Sequence, residues 1–158
     1  MEKNILVGLS FGITSAAITT LGLIVGLEAA TSSLKVILGG ILTIAIADAF
    51  SDALGIHISQ ESEKNNTIKD VWIATVVTFF AKFLFAMTFT IPFLLLPISL
   101  AMFTGIAWGF FIIASLSFFI AKREKKNPIW SIAEHLIIAI VVIFLTHQAG
   151  HLISQFFG

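Results

Sequence analysis

The sequence predicts an all-α, polytopic membrane protein with five transmembrane helices, in a single domain over residues 1–158. Three observations predict it. Hydrophobic residues make up 58% of the chain and charged residues 11%, with a mean hydropathy of +1.03, which leaves too little polar surface to dress a water-facing globule. Five apolar stretches, at about 5–28, 34–58, 71–91, 97–121 and 129–154, each reach the roughly 20 residues that a helix needs to cross about 30 Å of hydrocarbon. With five crossings, Lys3, Lys64, Lys69, Lys122, Arg123, Lys125 and Lys126 fall on one side and Lys35 alone falls on the other. Basic loops stay in the cytoplasm, so the amino terminus is expected there and the carboxyl terminus outside.

In the first stretch, Lys3 and Glu28-Ala29-Ala30 loosely resemble the ends of a signal peptide. The apolar part from Ile5 to Leu27 exceeds the roughly 7–15 residues of a signal core, so it reads as a retained span. Gly8, Gly12, Ser15, Thr19, Gly22 and Gly26 recur along it at alternating steps of four and three. Such a row lets another backbone approach closely. It is expected to serve either packing within the subunit or the seam of a homodimer. Thr31-Ser32-Ser33 then separates the first two spans.

The second stretch is interrupted at its centre by Asp48 and Asp52, which stand one turn apart and project from one helical face. A charge at the centre of a span costs about 2.5–3.5 kcal/mol on insertion scales, so it normally faces protein, water or an ion. The third stretch carries Lys82, and Pro92 and Pro97 after it predict a tight turn near the surface through Phe93-Leu94-Leu95-Leu96. The fifth begins with Asn127 as N-cap and Pro128 as first helical residue, with Ser131 and Glu134 in the early turns. No internal repeat is evident, so inverted-repeat transporter folds are not supported.

The formal net charge is zero and no basic patch sits on a soluble domain, so a nucleic-acid partner is not expected. Cysteine is absent, which removes disulfides, iron–sulfur clusters and thiolate zinc sites. No tightly bound cofactor is expected, and any metal must be held by oxygen, imidazole or thioether.

Counting residues inward from the basic end gives each polar group a depth. Asp48 and Lys82 come to about 15 and 16 Å, and Asp52, Glu134 and Phe11 to about 9 Å. An upper level would pair Asp48 with Lys82, either as a structural ion pair or as a proton-coupling group. A lower level would bring Asp52 and Glu134 together, unless Glu134 only complements its helix dipole and snorkels to the surface. His57 points about 180° away from Asp48 on the same helix, and His147 and His151 read as interfacial residues before they read as metal ligands.

Ala47-Asp48-Ala49-Phe50-Ser51-Asp52-Ala53-Leu54-Gly55, running on through His57 to Glu61-Ser62-Glu63, resembles the second span of the vacuolar iron transporter family. The resemblance extends to residues 4–15, to Phe89-Thr90-Ile91-Pro92, and to Thr146-His147-Gln148-Ala149-Gly150-His151. It implies a five-span, dimeric exporter that moves Fe²⁺ or Mn²⁺ out of the cytosol in exchange for protons. The sequence departs from the family at Phe11, where a first-span Asp is usual, at Asp52, where a Met is usual, and at Ile56, where a Glu is usual.

Asp52 and Phe11 come to similar depths, so a carboxylate missing from one helix would be regained on its neighbour. The expected metal ligands are then Asp48, Asp52 and Glu134, with Lys82 as counter-ion or proton carrier. An all-oxygen site leans toward Mn²⁺ or Mg²⁺ over Fe²⁺. Residues 59–70 are too short for the glutamate-rich insert of many members, which points to a prokaryotic plasma membrane. Two alternatives stand beside export: a family-like scaffold whose acidic residues only pair with Lys82, and a Mg²⁺-dependent intramembrane enzyme, whose chemistry wants more acidic residues at headgroup level.

Overall fold

The computed structural model describes residues 2–157, which form six helices and no strand. They are α1 (Glu2–Thr31), α2 (Leu34–Glu61), α3 (Ile68–Thr88), α4 (Thr90–Leu95), α5 (Ile98–Arg123) and α6 (Pro128–Phe157). With α3 and α4 taken as one span, Ile68–Leu95, five helical segments are long and apolar enough to cross a membrane. The protein is an all-α, multi-pass membrane protein. Large apolar side chains such as Phe50, Phe103, Phe119, Trp130 and Phe144 face outward, as a lipid solvent allows.

The first helix is central: α2, α3, α5 and α6 all pack on it. Its row of small residues explains how. A Cβ built at Gly8 would lie 2.7 Å from the Ala74 carbonyl oxygen, and one at Gly12 would lie 2.8 Å from that of Thr78, so both glycines admit α3 to backbone contact. Gly22 faces Val142 and Gly26 faces Thr146, so the far half of the same row admits α6. Gly150 of α6 answers Gly26 so closely that any Cβ there would collide with the Gly26 carbonyl. Gly8, Gly12, Gly22 and Gly26 of the row therefore serve packing within the subunit, the first of its two expected uses.

The apolar core lies between α1, α2, α4 and α5, where Leu21, Ile24, Ile37, Ile41, Phe89 and Phe93 are buried. Gly109 gives room to Leu21 and Gly105 to Ile24. The last helix is the least covered, with only Ala139 and Gly150 buried.

Pro92 does not open the expected surface turn. It falls in the first turn of α4, where its missing N–H has no intrahelical partner in any case. Its ring withholds a donor from the Thr88 carbonyl, and the helical ladder breaks at Phe89 and resumes at once. The reversal comes only at Leu96 and Pro97, and Phe93 is core.

Asn127 caps α6 as expected, its Oδ1 accepting from the Ile129 N–H at 3.0 Å. Thr67 and Asp70 form a capping box at the start of α3. Two turns hold a non-glycine residue in the left-handed region, Ser32 at φ 47° and Lys125 at φ 57°. After α5, the Lys126 N–H donates to the Ala121 carbonyl and the Lys125 N–H to that of Lys122, a Schellman closure that favours glycine at Lys125. Lys125→Gly is expected to stabilise the protein by about 0.5–1 kcal/mol. Unfolding in a graded mixture of mild detergent and dodecyl sulfate measures this, and a loss of stability would contradict it.

The start of α1 and the end of α5 meet at one end of the bundle, where Arg123 donates to Glu2 at 2.9 Å. This is the basic end. The turn at Ser32 and the turn at Pro97 mark the far end.

Candidate functional site

Near the middle of the bundle three helices converge on one ammonium group. Lys82 of α3 is fully buried, and its Nζ donates to Ser15 Oγ at 2.6 Å, Thr19 Oγ1 at 3.0 Å and Asp52 Oδ2 at 2.9 Å. Ser15 and Thr19 stand one turn apart on α1, as Asp48 and Asp52 do on α2, so each helix offers two oxygens from one face. The Thr19 hydroxyl gives its own hydrogen to the Ser15 carbonyl at 2.7 Å, leaving a lone pair for Lys82.

A fourth oxygen, Asp48 Oδ2, lies 2.5 Å from the ammonium. An ammonium has three N–H donors, and Ser15, Thr19 and Asp52 take them all. The Asp48 contact is accordingly ionic, and its buried Oδ2 accepts no hydrogen bond. One ammonium against two carboxylates leaves a formal charge of −1 among oxygens alone.

The surroundings are unequal. Toward the basic end, α1 and α3 are in backbone contact at Gly8 and Gly12. Toward the far end, an open groove of about 650 Å³ runs between α1 and α2, from Leu27 and Val36 to Asp48 and Ser51. A second groove of about 470 Å³, between α1 and α6, shares Leu23, Leu27 and Ile44 with the first and reaches Thr19. The Asp48 side chain is 29% exposed and that of Asp52 17%, so Asp48 is the more open of the two.

Asp48 and Lys82 therefore stand together at one level, and Asp52 joins them. The separate lower site of Asp52 with Glu134 does not assemble: Glu134 is exposed on α6, which packs on α1 and α5, whereas α2 packs on α1 and α3. Depth alone put them at one height, but they stand on different sides of the bundle. Among the described residues, no three His, Asp or Glu side chains gather as a possible metal cage.

His57 lies on the other flank of α2 from the carboxylates, 2.9 Å from Thr75 Oγ1 and edge-on to Trp72. Because Thr75 gives its hydrogen to the Val71 carbonyl, His57 Nδ1 is the donor in that contact. His147 and His151 are exposed, their ring centres 6.4 Å apart. The hydroxyls of Ser15 and Thr19 were legible only as small residues, although they sit at i and i+4 and Ser15 comes to about 15 Å, the depth of Lys82, by the same count.

No protein-family model, no curated protein and no solved structure matches the chain.

Proposed function

We propose that the protein exports a divalent cation, Fe²⁺ or Mn²⁺, in exchange for protons, and that Asp48 and Asp52 bind either the Lys82 ammonium or the cargo. The observation that supports this best is two carboxylates facing one ammonium at mid-span, with Asp48 at the inner end of a groove between α1 and α2. Charges at that depth mark ion and proton pathways when they are not fully paired. The resemblance of the second span to vacuolar iron transporters points the same way.

A divalent ion among the same oxygens would displace the ammonium from the two carboxylates. If Lys82 gives up its proton as it does so, one ion enters and one proton departs, and the formal charge of the cluster passes from −1 to 0. Two carboxylates and two hydroxyls are hard ligands and favour Mn²⁺ over Fe²⁺.

A second reading, a scaffold without transport, is favoured by the full use of the three Lys82 donors. Flux separates the two. In vesicles loaded with Mn²⁺ or Fe²⁺, Asp52→Asn is expected to lower efflux at least about tenfold. Undiminished efflux, or no efflux from the unaltered protein, would leave the scaffold.

A further inference from the structure

The groove between α1 and α2 is far larger than a metal ion needs, and apart from Asp48, Thr43 and Ser51 its walls are apolar. Leu23, Leu27, Val36 and Ile44 line it, and its one charged group is Asp48 at the inner end. From Val36 to Asp48 it follows α2 for twelve residues, about 18 Å. We propose that it binds a long-chain alkylammonium, with the charged head on Asp48 and the chain lying along Leu23, Leu27 and Val36. The inference goes beyond the export reading, because it needs a cation to be held there and not moved.

Charge selects this occupant. Lipid tails are as apolar as the groove, so burial of a chain discriminates nothing between a lipid, an alcohol and an amine. The carboxylate does discriminate. Lys82 spends its three N–H donors on Ser15, Thr19 and Asp52, so Asp48 is held by charge alone. Its Oδ2 is buried against the ammonium, so the side chain's 29% exposure falls on the rest of the group, into the groove. An incoming ammonium would donate to that face and bring the cluster from −1 to 0, in a setting where low dielectric strengthens the attraction.

The test uses the full chain in phosphatidylcholine vesicles and a dodecylammonium probe carrying a diazirine at the tail. Photolysis is expected to label peptides containing Leu23, Leu27 and Val36, while the matching dodecanol probe labels them at background. Asp48→Asn is expected to cut the labelling at least about tenfold. Gly40→Leu, whose Cβ would meet Leu27 Cδ1 at 2.6 Å and Leu23 Cδ2 at 3.1 Å, fills the groove while leaving the carboxylates in place, and should abolish labelling with the fold retained, since only flexible leucine tips need move. It decides the matter if Asp48→Asn does not fold.

Equal labelling by the alcohol, or labelling that survives both substitutions, overturns the proposal and leaves a crevice for ordinary lipid. Mn²⁺ flux measured on the same vesicles keeps the two readings apart. Labelling without flux sinks export alone, and flux without labelling sinks the alkylammonium site alone.

Discussion

Lys82→Met is expected to destabilise the bundle by about 3–5 kcal/mol, the usual cost of removing one partner from a buried ion pair. Methionine nearly matches the lysine stem in length, so little packing is lost. What remains is two carboxylates at mid-membrane with no cation, and two α1 hydroxyls without their donor. Adding Asp48→Asn and Asp52→Asn to Lys82→Met should recover most of the loss, because neutral isosteres need no counter-charge. Equilibrium unfolding in dodecyl sulfate mixtures measures both steps. If Lys82→Met stays within about 1 kcal/mol of the parent, the ammonium is not what joins the three helices.

Gly150→Val should be the most damaging change outside the cluster. Even a Cβ at Gly150 would collide with the Gly26 carbonyl, which is backbone and cannot swing aside. Overpacking of this kind costs about 1–3 kcal/mol and sometimes more. The damage should be local, since α6 buries little else: spin labels at the far ends of α1 and α6 should show the two helices parting. Gly39→Val is the matched control, because nothing lies within 4 Å of a Cβ there. An equal effect at both positions would mean that the close approach of α1 and α6 is not what Gly150 provides.

The spans were legible because hydrocarbon thickness fixes their length, and the described helices overrun the expected limits only at their ends, as at Glu2–Thr31 against 5–28. The third ran longer than expected because a proline reads as a break, whereas Pro92 sits where a helix tolerates one. Depth counting placed Asp48 and Lys82 together because both lie on one coordinate, the membrane normal. It separated Asp52 by one turn, about 6 Å, a distance that the lysine stem spans. It also could not supply direction around each helix, and so it matched Asp52 with Glu134 across the bundle. The small-residue row announced a close approach, but its partners are written elsewhere, in Ala74, Ala81 and Gly150.

Every oxygen and nitrogen of the polar cluster comes from residues 15–82, that is, from α1, α2 and α3. During synthesis, then, the three ionised side chains can find one another as soon as the third helix leaves the insertion machinery. The later helices join a subassembly whose costliest groups are already reconciled with the membrane. Loosening or deleting α6 would therefore be felt as lost greasy contact around α1 and not as stranded charge, and the first three helices form the smallest piece of this chain that could stand in a bilayer with the Lys82 cluster intact.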